Sequence, residues 1–205
     1  MSSAARKKLP RSSRAETRSK LVQIGTEIMS EKGFDTTAID DVLQRASVPK
    51  GSFYYYFASK EDFGLAVVDN YAFLWEQKLT RLLRDPNVRP LQRVRNYIAE
   101  AARGLEDYEF RRGCLIGNMG QELGGLDGVF RERILGVLNS WTGFLAECLK
   151  QGQDAGEIRA DLNVHHVANF FWFSWEGAIL KSKLERSTQP LDEFREVTFK
   201  SILTA

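Results

Sequence analysis

Little in this sequence of 205 residues could staple, metallate or anchor a fold. Its two cysteines, Cys114 and Cys148, are too few for a disulfide framework and point to a reducing compartment, the cytoplasm. Its two histidines, His165 and His166, are adjacent. On a helix they point about 100° apart and cannot chelate one metal, so neither a metal nor another cofactor is expected. No apolar run approaches the roughly 18 residues of a membrane span, and no apolar segment follows the basic N-terminus as a secretory signal requires. Period-two apolar alternation is missing, which removes β-strands and any phosphate loop that follows one. Glu122 and Glu176 are isolated carboxylates, expected to satisfy hydrogen bonds. With no catalytic constellation, the chain is not expected to be an enzyme.

The net charge of +2 conceals an uneven distribution. Residues 1–20 hold seven basic side chains (Arg6, Lys7, Lys8, Arg11, Arg14, Arg18, Lys20) against Glu16 alone. The remaining 185 residues carry 22 basic and 26 acidic groups. A flexible basic arm over residues 1–13 on a mildly acidic body suits local contact with a polyanion.

Three capping-box-like spacings follow the arm: Ser13…Glu16, Thr37…Asp40 and Ser59…Asp62. The first opens a helix with Leu21, Ile24, Ile28 and Met29 as its apolar stripe, stopped at Gly33. The second opens a short helix bearing Ile39, Val42, Leu43 and Ala46. Ser47-Val48-Pro49 breaks it, and Pro49 is suited to begin the next helix, Lys50–Phe57. There Phe53 and Phe57, four apart, are expected to face inward. Lys50, Ser52, Tyr54, Tyr55 and Tyr56 spread over the other faces. Three consecutive tyrosines would leave much apolar area in water, but phenols can donate to phosphates while their rings pack on sugars and thymine methyls. Two short helices joined by a tight turn, the second carrying Lys, Gly and Tyr, predict a helix-turn-helix reading double-stranded DNA.

Residues 14–65, above all Val48-Pro49-Lys50-Gly51-Ser52-Phe53-Tyr54-Tyr55-Tyr56-Phe57 with Ser59-Lys60, resemble the DNA-binding segment of TetR-type transcriptional regulators. The resemblance implies DNA contacts at Thr37, Lys50, Gly51, Tyr54, Tyr55, Tyr56 and Lys60, with Tyr56 standing where many relatives have His; Ser52, on an outer face of the same helix, is a further candidate. Lys60 falls in the first turn of the next helix, where its ammonium and the free amides can both meet phosphate. One such module reads few base pairs, so a dimer on an inverted-repeat operator is expected.

From Lys60 onward every segment has a helical pattern. The fold class is therefore all-α: an N-terminal three-helix helix-turn-helix domain (14–62) and a C-terminal helical domain for effector binding and dimerisation (63–205). Residues 164–180 are apolar nearly all round, which suits one face on the body and another on a second copy. With Leu191, Phe194, Val197, Phe199 and Ile202 they predict a homodimer through the last two helices. The abundance of large side chains, Trp141, Trp172 and Trp175 among them, suggests a ligand cavity as well as a core.

The segment Phe110-Arg111-Arg112-Gly113-Cys114-Leu115-Ile116-Gly117-Asn118-Met119-Gly120-Gln121-Glu122-Leu123 is unusually rich in glycine for a helix. Its glycines permit a bend or a close approach. Cys114 follows two arginines at a helix start, and both features would lower a thiol pKa; alternatively it is a small buried hydrophobe. Asn118 and Gln121 are expected on roughly the same face. This segment, together with Phe171–Lys181, is similar to an acrylate-responsive branch of the TetR repressors. That resemblance implies a repressor released by acrylate or a related unsaturated acid or thioester. A neighbouring branch that senses N-ethylmaleimide and reactive aldehydes has a cysteine in the matching Gly-Cys-Leu, which leaves an electrophile switch through Cys114 as the alternative. The candidate effector residues are Cys114, Asn118, Gln121, Trp141, Trp172 and Trp175.

Overall fold

The computed structural model describes residues 13–125 and 128–204; apart from Ser13, the expected basic arm lies outside them. Every regular element among these residues is helical. Helix α1 (Arg14–Lys32) opens on a complete capping box: Ser13 Oγ accepts the Glu16 N–H at 3.2 Å, and the Glu16 carboxylate accepts the Ser13 N–H at 2.8 Å. Such a cap stabilises a helix end by about 1 kcal/mol. Gly33 ends the helix at φ +87°, a left-handed value that favours glycine.

Helix α2 (Ile39–Ala46) starts after Ala38, which provides no side-chain cap. The expected Thr37 cap is therefore corrected. The Thr37 hydroxyl points back to α1 and donates to Gly33 O at 2.6 Å, satisfying a carbonyl at the end of that helix. The next helix is also more broken than its sequence suggests. Lys50–Ser52 forms a 3-10 turn and α3 covers only Phe53–Tyr56, with Phe57 extended. Phe53 and Phe57 are buried, as their spacing predicts, and both rings meet Phe63, at 5.7 and 4.8 Å between centroids.

Helix α4 (Lys60–Leu83) is capped by Ser59 Oγ, which accepts the Asp62 N–H at 3.1 Å. The Asp62 carboxylate accepts from Ala58, one residue earlier than a regular capping box requires. Because α4 runs from the small module into the body, the expected boundary at 62/63 falls in its first turn. Buried Phe63, Val67, Val68 and Tyr71 on α4 belong to one apolar cluster that spans both parts.

The body adds α5 (Pro90–Asp107), α6 (Leu115–Leu123), α7 (Gly128–Asp154), α8 (Val164–Glu185) and α9 (Gln189–Glu196), which continues as a π-helical segment over Val197–Leu203. Pro90 sits in the first turn of α5, where its missing N–H costs nothing. Asn163 caps α8 by accepting the N–H groups of His165 and His166. Helices α7 and α8 pack together, α4 lies against α1, α5 and α7, and the core centres on Trp141, Trp175 and Tyr97. Among the described residues, no helix is long and apolar enough to cross a membrane.

Candidate functional site

The first candidate surface surrounds α3. Burying Phe53 forces its neighbours outward: Tyr54 is 79% exposed and Tyr55 60%. Their large rings in water cost apolar hydration that the fold does not recover. Arg14 braces this edge, with Nη2 donating to Tyr55 O at 2.8 Å and its guanidinium 4.5 Å above the Tyr55 ring. Gly51 is exposed, and a Cβ there would meet nothing within 4 Å. The protein's own packing thus does not require a glycine at 51. Lys50 pairs with Asp40 at 2.7 Å on the open surface; that bond holds the ammonium pKa above its ordinary value. Lys60 Nζ donates to Asp35 O at 3.1 Å and lies 4.8 Å over the Phe34 ring.

The second candidate is a chamber of about 390 Å³ between α1, α4, α5, the start of α6 and α8. Small-molecule sites span roughly 300–1,000 Å³. Tyr71 and Trp75, stacked 5.1 Å apart, form part of its wall, and Cys114, Trp175 and Ile179 form another part. Helix α1 contributes Gln23, Thr26 and Ser30, while α4 adds Asn70 and Lys78. Burial lowers the Lys78 pKa, against the pull of Glu100 beside it. Arg112 also reaches the chamber and is tied to Glu31 at 2.8 Å.

Cys114 caps α6, its Sγ accepting the Gly117 N–H at 3.5 Å. Behind it stands Glu176, which presses on the bare Cα of Gly117. Burial raises the Glu176 carboxyl to about 7, although a bond from the Cys114 thiol opposes the rise. Its Oε1 is buried without a hydrogen-bond partner, as are the indole N–H groups of Trp141 and Trp172. The expectation that Glu176 is simply satisfied is therefore corrected. So is the expected low pKa of Cys114: burial first, then the adjacent Glu176, pushes the thiol well above its ordinary value. The two arginines that precede it do not offset this, because Arg112 turns to Glu31 and Arg111 to Glu109.

Two parts of the chain match family models: residues 21–67 match the description "Bacterial regulatory proteins, tetR family", and residues 90–198 match "Tetracyclin repressor-like, C-terminal domain". The chain belongs to the TetR family of transcriptional regulators. It is 42% identical to the transcriptional regulator AcuR of Cereibacter sphaeroides, over 85% of this chain and 80% of that protein. It is 38% identical to the HTH-type transcriptional repressor DhaR of a Mycobacterium species, over 93% and 94% of the two chains. A crystal structure of a regulatory protein TetR from Rhodobacter sphaeroides superposes with a TM-score of 0.86 at 40% identity, covering 90% of this chain and 97% of that one. The reduced form of Escherichia coli NemR superposes with a TM-score of 0.80 at 27% identity, over 92% and 97%. The fold is thus all-helical, with a TetR helix-turn-helix and a TetR C-terminal domain, and the protein is a DNA-binding regulator rather than an enzyme.

Within this TetR architecture the expected site residues separate. Lys50, Gly51, Ser52, Tyr54, Tyr55 and Tyr56 share the α3 edge, but Thr37 does not, being enclosed and committed to Gly33. Cys114 and Trp175 line the chamber. Asn118 and Gln121 instead border a separate outer groove with Lys32 and Lys183. Trp141 and Trp172 lie in the core, 5.4 Å apart, and are not among the chamber-lining residues. The α1 wall was missed. Its signal was polar Gln23, Thr26 and Ser30 at helical spacing on a partly buried face.

Proposed function

We propose that this TetR regulator is a repressor that binds an inverted-repeat operator as a homodimer and is released by a small molecule in the chamber. The observation that carries the reading is the chamber's position. Its walls include α1, part of the DNA-binding unit, together with α4, α5 and α8 of the body. A ligand there touches both units and biases how they sit together, which is a population shift between binding and non-binding spacings. Lys50, Gly51, Ser52, Tyr54, Tyr55 and Tyr56 would meet the major groove, with Lys60 and the start of α4 on phosphate. Lys50 then exchanges its exposed partner Asp40 for DNA, at little cost in water.

Dimerisation is supported by an apolar stripe left open on α8 and the segment after α9. Phe173 is 71% and Leu184 77% exposed, with Phe170, Leu180 and Val197 beside them. Contiguous apolar area of this kind marks association surfaces. A cytoplasmic site of action follows from DNA as the partner.

For the effector, the reading is a small unsaturated acid such as acrylate, or its thioester. A ligand carboxylate would draw on Lys78 and Arg112 in competition with their present partners Glu100 and Glu31, and Tyr71, Trp75 and Trp175 supply apolar surface. The volume exceeds what a three-carbon acid fills, which favours a longer acid or a thioester. The second reading, an electrophile switch, rests on Cys114 standing in the chamber wall; it works against the burial and the neighbouring Glu176 that hold the thiol protonated. A mobility-shift assay with acrylate, an acryloyl thioester and N-ethylmaleimide separates them. Release by acrylate or the thioester in both wild type and Cys114→Ser supports the reversible chamber. Release only by N-ethylmaleimide, and only with Cys114 present, supports the electrophile switch. No release by any of them overturns the effector class.

A further inference from the structure

Glu122 stands in the last turn of α6, yet its carboxylate serves the other unit. Its Oε2 accepts the Phe34 N–H at 2.8 Å and its Oε1 accepts the Asp35 N–H at 2.6 Å. These partners lie 88 and 87 residues away in sequence, in the loop joining α1 to α2. Gly33 makes the seat for this contact. Its φ of +87° turns the chain, and a Cβ there would come within 2.9 Å of Oε2. On the other side Lys60 holds the same loop, through Asp35 O and the Phe34 ring. Phe34 also meets Phe130 of α7 edge-on at 5.4 Å. The loop that orients the helix-turn-helix is therefore clamped between an α6 carboxylate and a candidate phosphate contact.

The opposite end of α6 reaches the chamber. Cys114, its cap, lies in the chamber wall, and the neighbouring Gly113 N–H donates to Ser30 O of α1 at 3.3 Å. Nine residues of helix make a rod about 13 Å long. Backbone bonds from the Asn118 N–H to Cys114 O at one end and from the Gly124 N–H to Gly120 O at the other, both 3.0 Å, join Cys114 and Glu122 through one hydrogen-bonded helix despite Gly117 and Gly120.

We propose that Glu122 is the positioning residue that couples the chamber to the DNA face: through it, α6 sets the α1–α2 loop and hence the orientation of the recognition segment. This rests on the reading of the chamber as the effector site. The effector's identity is not needed to test it, because coupling between sites is reciprocal. Operator binding must alter the state of the chamber, and Cys114 reports that state.

The test uses the full chain and a duplex selected by the wild-type protein from a random pool. The rate of Cys114 alkylation by iodoacetamide is followed by peptide mass spectrometry with and without saturating duplex, Cys148 serving as an internal reference. Wild type should show a change of about fivefold or more, the lower range of ordinary allosteric coupling. Glu122→Gln keeps the shape but presents an amide N–H₂ to one of the two backbone donors. In this variant the duplex-induced change should fall to less than about half on a logarithmic scale while the duplex is still bound. A merely structural role would lower the melting temperature and leave that ratio unmoved. An unchanged ratio in Glu122→Gln overturns the proposal and leaves the chamber reading standing. No change in wild type overturns the chamber reading itself. Should Glu122→Gln not fold, Glu122→Asp, one methylene too short to reach both amides, is judged by the same ratio.

Discussion

The Glu176 carboxylate rests directly on the Cα of Gly117, in space that any side chain at 117 would occupy. A glycine inside a nine-residue helix costs about 1 kcal/mol relative to alanine, and the close approach explains why one is present. Gly117→Ala should nevertheless destabilise the protein by about 1–3 kcal/mol, since the added methyl drives Glu176 from its buried position. Gly104, whose Cβ would meet nothing within 4 Å, is the control; Gly104→Ala should be neutral or stabilising. Chemical denaturation of both variants measures the difference.

The same carboxyl predicts a stability that falls with rising pH. Glu176 is raised to about 7 by burial, from an unfolded value near 4.5. The folded state therefore binds more protons than the unfolded state between those values, and stability declines as pH rises through them. That stability is fully present below about 4.5 and is lost, by an amount on the order of 3 kcal/mol, once the pH has risen above about 7. Glu176→Gln should flatten this segment, so urea unfolding of the two proteins should diverge from pH 5 to pH 8, with the variant the more stable at pH 8. Parallel profiles would sink the assignment.

At the DNA face, burial separates reading from folding. Tyr54→Ala removes an exposed ring, so it should leave the melting temperature within a degree or two and weaken operator binding by roughly 1–3 kcal/mol. Lys50→Ala should weaken binding and reduce the slope of log affinity against log salt by about 1. Phe53→Ala, emptying a buried site, should cost about 3–5 kcal/mol of stability. Fluorescence anisotropy over a salt series, with melting curves, checks all three.

The open stripe on α8 makes its own prediction. Phe173→Glu with Leu184→Glu places two charges where a partner copy would bury apolar side chains, and unpaired buried charges are strongly disfavoured. The double variant should sediment as a monomer at micromolar concentration and lose operator affinity by at least about tenfold, since one module reads only half the site. A variant that stays dimeric would place the interface elsewhere.

Local chemistry made the helix-turn-helix legible. Ser13 and Glu16 form their cap within four residues, Pro49 sets its own φ, and Phe53 and Phe57 need only a helix's period to face inward together. The all-helical class was equally readable, because apolar periodicity is a property of each segment by itself. Thr37 shows where such reasoning stops: its spacing to Asp40 suits a cap, but an open carbonyl at Gly33 claimed the hydroxyl first.

Only the tertiary structure decided the chamber and its electrostatics. The two arginines that precede Cys114 in sequence suggest a lowered thiol pKa, but a pKa depends on what surrounds the group in space. Burial and Glu176, 62 residues away in sequence, outweigh the arginines, which turn to Glu31 and Glu109. The α1 wall and the Glu122 clamp are likewise contacts across dozens of residues, set by how helices pack rather than by any local pattern. The sequence by itself determined which helices form and that one pair of them reads DNA; packing determined what those helices enclose and how the two ends are joined.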